Sequence, residues 1–359
     1  MPTDPDSTVE PWNTFDSQAK EAALRSEADG WDTSAPVDAD PGDIPTVDVG
    51  PWFASGSAAD LEAAATVLRD ACERVGFHQL VGHGIATTAI DDAFDTARRF
   101  HALALDTKQT VLMDRPDHPL KGVGYLPVGE RKLPRRAVGN RNEAFLLKGD
   151  RGVGLDQNQW PAEAAAPGFR ADVERYAGAV TALARRLLPV YAVALDLDPD
   201  FFDEGFRHPF WRLRMTHYPP DDPSVDAALD IEDGADEDQR GYGIAPHVDT
   251  TFFTLLLQDS PGLTIYSAER DRWINVPVVP GAFVVNSGEL LRQWSNDRFL
   301  STRHFADGDG SRSRYSIPLF YNATADYPMT CLPSCWDEDN PPRYPPVSYR
   351  ESQAAVQGE

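Results

Sequence analysis

Three cysteines in 359 residues, Cys72, Cys331 and Cys335, are too few for a disulfide framework or a four-cysteine zinc site. Cys331 and Cys335 flank Leu-Pro-Ser, near enough in sequence to meet, but they read as ordinary reduced thiols. No run of eighteen apolar residues occurs, which argues against a membrane-spanning helix. The first residues, Met1-Pro-Thr-Asp-Pro-Asp, lack the basic and apolar regions of a signal peptide, so a cytoplasmic location is expected. Lysine is scarce, at five of 33 basic residues, and positive charge is nowhere clustered as phosphate binding requires. Neither nucleic acid nor a membrane is therefore an expected partner, and a monomer acting on a small molecule is.

What the chain has in excess is negative charge, and it is uneven. Of the formal net charge of -24, much comes from residues 1–43, with 11 acidic and 2 basic side chains, and from residues 221–239, with 9 acidic and none basic. Such blocks stay solvated, so 1–43 is expected to be a mobile acidic N-terminal arm and 221–239 a loop. The remainder is mildly acidic. With 41 % apolar residues it can bury a core, and 30 prolines imply many chain reversals. A single catalytic domain is expected over 44–359.

Its first part, 44–200, reads as mainly helical. A strand at Ile44-Pro-Thr-Val-Asp-Val precedes a helix from Ala59 to Val75, with Leu61, Leu68, Cys72 and Val75 at helical spacing and Gly76 as its stop. Phe77-His-Gln-Leu-Val is a short strand, and Thr88 to Met113 a second helix with Ile90, Phe94, Ala97 and Phe100 on one face. After a loop-rich middle, Phe169 to Leu197 reads as a long amphipathic helix that Pro189 should kink or break. From Trp211 the pattern changes to short β-type runs with Gly, Pro and Asp between them, which predicts a sandwich or jelly roll over 211–321.

His247-Val-Asp249 lies just before one such run, and in an extended segment residues i and i+2 project from one face. Alone the pair is weak, since a chain this acidic yields about one His-x-acid match by chance. His304, 55 positions beyond Asp249, supplies a third ligand. Two histidines and a carboxylate on one face of a metal leave the opposite positions open, as oxygen activation by iron(II) requires. The competing zinc hydrolase would place its histidines as His-Glu-x-x-His, which is absent. Between His304 and Arg314-Tyr-Ser316 the residues are turn formers, which predicts a hairpin centred near Asp309 with His304 opposite Arg314. Arg314 and Ser316 share a face and suit a fork for the far carboxylate of a dicarboxylic acid whose keto-acid end chelates the metal.

These residues resemble the iron(II)/2-oxoglutarate-dependent dioxygenase superfamily, in its isopenicillin N synthase-like branch, from about Ile44 to Tyr349. Gly76-Phe-His-Gln-Leu-Val-Gly-His83-Gly-Ile, Pro280-Gly-Ala-Phe-Val-Val-Asn286-Ser-Gly288 and Trp294-Ser-Asn-Asp-Arg-Phe-Leu-Ser-Thr-Arg-His304 are similar to further family segments. The resemblance implies a mainly β fold with flanking α, a double-stranded β-helix (jelly roll) core with helices packed outside. It implies Fe(II), O2 and 2-oxoglutarate, whose decarboxylation at the iron yields the oxidant that takes a substrate hydrogen. Leu213-Arg-Met-Thr216-His217-Tyr218-Pro resembles the family's Asn-x-Tyr-Pro element, which makes Tyr218 a co-substrate ligand, with Thr216 standing where the family has asparagine. His83 reads as structural. His217 beside Tyr218, Phe252 and Phe253 after the first ligand strand, and Tyr125 with Asn142-Glu143-Ala-Phe145 are candidates for the substrate wall. Hydroxylation is the default outcome, with desaturation or ring formation open to the same chemistry. The alternative is an oxidase or cyclase of the isopenicillin N synthase type, in which the Arg-x-Ser pair binds a substrate carboxylate without 2-oxoglutarate. A β-barrel that binds a metal and a small ligand without catalysis is the remaining class.

Overall fold

The computed structural model of the chain describes residues 35–357 apart from 132–137, 151, 224, 226–228 and 230–240. Its strands are β1 (Val37–Asp38), β2 (Thr46–Asp48), β3 (Phe77–Val81), β4 (Gly124–Leu126), β5 (Glu143–Gly149), β6 (Phe210–Tyr218), β7 (Ile244–His247), β8 (Phe253–Gln258), β9 (Leu263–Ser267), β10 (Arg272–Asn275), β11 (Phe283–Ser287), β12 (His304–Ala306) and β13 (Arg314–Asn322). They form a major sheet in the order β2-β3-β11-β8-β13-β6-β5-β4 and a minor sheet in the order β1-β10-β9-β12-β7. Only β1–β10 and β2–β3 pair in parallel among the described strands. This is the jelly roll the short β-runs predict.

Because side chains alternate along a strand, the major sheet has two chemically distinct faces. Phe77, Leu256 and Val284 point inward and meet Leu263, Ile265 and Ile274 of the minor sheet. Leu213, Met215, Leu255, Leu257, Phe283, Val285, Leu319 and Tyr321 form the other face, which packs on the helices. Strands such as β11 are therefore buried at every residue and read as continuous apolar runs.

The helix Ala58–Arg74 starts where Ser57 Oγ accepts the Asp60 backbone N–H, 3.2 Å away. It stops at Gly76, whose φ of 74° lets its N–H turn back to the Ala71 carbonyl. The second expected helix is shorter, Thr87–His101, followed by a separate turn of helix at Leu105–Gln109. Pro189 does not break the long helix, which runs from Phe169 to Ala194. Leu187, Leu188, Val190 and Tyr191 are buried on either side of it. At about 1.5–3 kcal/mol per buried side chain, that packing outweighs the roughly 3 kcal/mol a helical proline costs. This helix is long and apolar enough to cross a membrane, yet its apolar side is core.

The domain begins before Ile44. Val37 and Asp38 pair with Ile274 and Asn275, Asn275 Nδ2 donates to Asp38 Oδ1 at 3.0 Å, and Arg270 holds Asp43 at 2.5 Å. Arg141 binds Asp221 at 2.9 Å, at the head of the acidic loop. The rest of the expected arm, 1–34, and most of the acidic loop lie outside the described residues. The three cysteines are free thiols.

Candidate active site

β7 and β12 are antiparallel neighbours, and their register sets His247 directly opposite His304. The imidazole centroids lie 4.3 Å apart. His247 Nδ1 donates to the Ala245 carbonyl at 2.8 Å and His304 Nδ1 to the Thr302 carbonyl at 3.1 Å, so each ring keeps its Nε2 lone pair free. Asp249 Oδ2 accepts from Thr254 Oγ1 at 2.7 Å and from Asn286 Nδ2 at 3.0 Å. Its Oδ1 is left facing His247 Nε2 at 3.6 Å and His304 Nε2 at 3.9 Å. The three donor atoms converge within 4.8 Å of one another, which fits one divalent ion bound on one side.

The electrostatics favour the metal-binding protonation states. Burial alone would raise the Asp249 carboxyl, but the His247 contact and the charges of both histidines hold it well below the usual carboxylate range. Burial, reinforced by His247, pushes His304 down to about 4. At neutral pH the site therefore offers a carboxylate and a neutral His304 imidazole. Phe77 packs edge-on against the His304 ring at 5.3 Å.

Arg314 lies opposite Tyr218, and Ser316 opposite Thr216, on β13 and β6. The expected hairpin is not formed. β12 belongs to the minor sheet and β13 to the major one, so the segment between them crosses from sheet to sheet, and the triad and Arg314 meet across the interior. The Arg314 side chain is 1 % exposed. Its Nε donates to the Ser260 carbonyl at 3.2 Å and its Nη2 to Gln258 Oε1 at 3.1 Å, while Nη1 is buried with no protein partner. The guanidinium sits 4.5 Å from the centre of the Tyr218 ring, whose hydroxyl is hydrogen-bonded to Ser316 Oγ at 3.3 Å. Gly262, with φ of 143°, makes room: a Cβ there would lie 2.7 Å from Arg314 Nε and closer still to the Asp307 carbonyl. A buried guanidinium nitrogen without an acceptor, next to two hydroxyls, fits a carboxylate guest.

Four of the residues expected to wall the substrate pocket, His217, Tyr125, Phe252 and Phe253, lie elsewhere. His217 alternates with Tyr218 and Thr216 and so points to the helix side of β6. There Glu143 accepts from His217 Nδ1 at 2.8 Å, Lys108 Nζ at 2.8 Å and Tyr125 Oη at 2.6 Å. His101 joins this group and anchors its helix by donating from Nε2 to the Met215 carbonyl at 3.0 Å. The Glu143 carboxyl, which burial would raise, is held well below its ordinary range by His101, His217 and Lys108. Phe252 and Phe253 belong to the helix-packed core, Phe253 stacking on Tyr191 at 4.9 Å. His83 is structural as expected, bonded to the Gly281 carbonyl at 2.6 Å. Thr254 and Asn286 orient Asp249 from the inward parity of their strands; Asn286 lies in the segment 280–288 without its role being legible there, and Thr254 belongs to no motif.

Comparison with known proteins agrees with this geometry. Residues 212–323 match the model of the 2OG-Fe(II) oxygenase superfamily, and residues 44–163 that of the non-haem dioxygenase in morphine synthesis N-terminal region. The chain is 33 % identical over 324 residues to the 2-oxoglutarate-Fe(II) type oxidoreductase hxnY of Emericella nidulans, covering 86 % of this chain and 87 % of that one. This chain belongs to the 2OG-Fe(II) oxygenase superfamily. Among solved structures, a full-length Neurospora crassa protein in complex with alpha-KG and thymine superposes with a TM-score of 0.76 at 23 % identity, covering 89 % of this chain and 98 % of that chain. JOX2 in complex with 2OG, Fe and JA does so with 0.70 at 24 %, covering 93 % of each, and both likenesses bear on the fold. The protein is thus an iron(II)- and 2-oxoglutarate-dependent dioxygenase, and its relatives support that reading over the oxidase alternative.

Proposed function

We propose that this oxygenase hydroxylates a small organic molecule of specialised metabolism, with His247, Asp249 and His304 holding the iron and Arg314, Ser316 and Tyr218 holding the far carboxylate of 2-oxoglutarate. The observation that carries the reading is the pairing of three converging donors with a buried guanidinium that has one nitrogen to spare. Bound iron with 2-oxoglutarate and dioxygen supplies the oxidant for an unactivated C–H bond. The chain's own part is orientation. Ala245 and Thr302 carbonyls fix the two imidazole tautomers, and Thr254 and Asn286 fix the carboxylate. The inward apolar residues Phe77, Leu256 and Val284 limit water around them. The lysine-poor, acidic chain supports a small-molecule substrate over nucleic acid or an anionic membrane surface. A monomer working in the cytoplasm is part of the same proposal.

Succinate release from 2-oxoglutarate, measured under iron(II), ascorbate and oxygen, tests it together with anaerobic iron titration. His247→Ala, Asp249→Ala and His304→Ala should each abolish succinate formation and weaken iron binding by more than the roughly 10–100-fold that loss of an outer-shell partner costs. Wild-type turnover in any of the three at saturating iron overturns the role of that residue.

A further inference from the structure

The inward face of β6 continues past the co-substrate residues. Tyr218 and Thr216 are followed at period two by Arg214 and Arg212, whose partners on β5 are Leu146 and Lys148. Arg214 is 4 % exposed, and its Nη2 donates to Asn142 Oδ1 while its Nε is buried with no partner. Arg212 likewise has a buried, unpartnered Nε, and its guanidinium rests 5.4 Å from the Phe210 ring centre. No carboxylate forms an ion pair with either among the described residues.

A third guanidinium completes the group. Arg131 is reachable by solvent, yet burial and the Arg212 charge lower its proton affinity while Asp249 raises it. Arg214 in turn is pushed down to about 10 by burial and by Arg131. Buried cations without counter-charge are costly, and a site that keeps several of one sign is arranged for a ligand of the other.

Their place relative to the triad is set by register. Thr254, which bonds Asp249, is paired with Phe320, and Phe320 with Arg212. The arginine therefore stands two strands from the iron's carboxylate support, about 10 Å at ordinary strand spacing. Arg314 lies at the far end of the same row of inward residues, beside Tyr218. One interior thus holds Arg314 and the pair Arg214 and Arg212, separated along β6 by Thr216.

We propose that Arg214 and Arg212 bind a carboxylate of the substrate, so that this oxygenase acts on a small organic acid. This rests on the reading in which Arg314 takes 2-oxoglutarate. A substrate held there has its anion on β6 and its oxidised carbon turned toward His247 and His304.

The test uses the whole protein loaded anaerobically with iron(II) and 2-oxoglutarate, and calorimetric titration with benzoate and hexanoate against benzamide and hexanamide. Carboxylates should bind roughly 30-fold or more tightly than their amides, as expected when a desolvated charge pair is at stake. Arg214→Gln and the Arg212→Gln/Arg214→Gln double variant should erase the difference while leaving the dissociation constant for 2-oxoglutarate within about twofold. Arg314→Ala should do the reverse, weakening 2-oxoglutarate and sparing the carboxylate preference. Equal binding of acids and amides, a preference that survives the double variant, or no binding of any acid at millimolar concentration overturns the proposal. Loss of 2-oxoglutarate affinity in Arg214→Gln does so too, since it reassigns the arginine to the co-substrate. The visible charge-transfer band of the iron–2-oxoglutarate chelate is the control. If the band is missing in wild type, the co-substrate reading fails, whereas a normal band without carboxylate preference sinks only the substrate site.

Discussion

Arg314 spends two of its three guanidinium nitrogens on protein carbonyl groups and keeps Nη1 buried and free, a cost that only an incoming anion offsets. Arg314→Ala should therefore raise the apparent KM for 2-oxoglutarate far more than Ser316→Ala or Tyr218→Phe. A desolvated charge-assisted pair is worth roughly 2–5 kcal/mol, or about 30- to several-thousand-fold, against roughly 0.5–1.5 kcal/mol for a neutral hydrogen bond. Arg314→Lys should recover little, because an ammonium cannot bond Ser260, Gln258 and a carboxylate in one plane. Succinate release at varied 2-oxoglutarate measures all four, and equal effects of Arg314→Ala and Ser316→Ala would refute the ranking. Asp249 makes the same kind of demand. Thr254→Val removes one of the two donors to its Oδ2, so iron affinity should fall roughly 10–100-fold with the fold intact. An unchanged iron titration curve would mean that Asn286 alone is enough to orient the carboxylate.

At the scale of elements, β1 has only two residues, but it closes the edge of the minor sheet next to β10. A chain lacking residues 2–43 loses its pairing with Ile274 and Asn275 and the Asp43–Arg270 bridge, whereas one lacking residues 2–34 keeps both. The longer deletion should cost about 1–2 kcal/mol more, from partial burial of Val37 and a mostly covered ion pair. Equal melting temperatures would show the strand to be dispensable. Sequence reading missed β1 because two residues within an acidic stretch carry no periodicity; their order comes from β10, some 237 positions away. It found the strands of the jelly roll and the His247, Asp249 and His304 side chains that converge between the sheets, because apolar runs and rare residue types are local signals. It misplaced His217, Tyr125 and Phe253 through strand parity, and Phe252, just before β8, lies in the same helix-packed core. A neighbour of an inward residue points outward, so His217 had to leave the pocket that Tyr218 enters. The supposed hairpin failed differently, since turn formers between two strands do not say whether the strands share a sheet.

For the whole molecule the largest pH effect at mildly acid pH comes from inside. The formal charge of -24 suggests that acidification should stabilise the fold by relieving repulsion, but ordinary carboxylates titrate near pH 4. Buried imidazoles act earlier. Burial pushes His78 down to about 3, and burial, in spite of Glu143, lowers His101. A histidine whose folded pKa lies below its unfolded value of about 6.5 binds more protons when unfolded at any pH between the two. Its stabilising contribution is complete above pH 6.5 and shrinks as pH falls, by up to about 1.4 kcal/mol per unit for each such ring. Denaturant unfolding of the metal-free protein at constant ionic strength should thus show stability declining from pH 7 to pH 5. His78→Leu should flatten that decline measurably, since it removes a buried ring whose Nδ1 has no partner. Glu143, with its folded pKa depressed, has the same sign but acts only below about pH 4.3, so it leaves this window untouched. A wild-type stability that rises toward pH 5 would mean that surface repulsion outweighs the buried rings, and a His78→Leu slope equal to wild type would exclude His78 as their source.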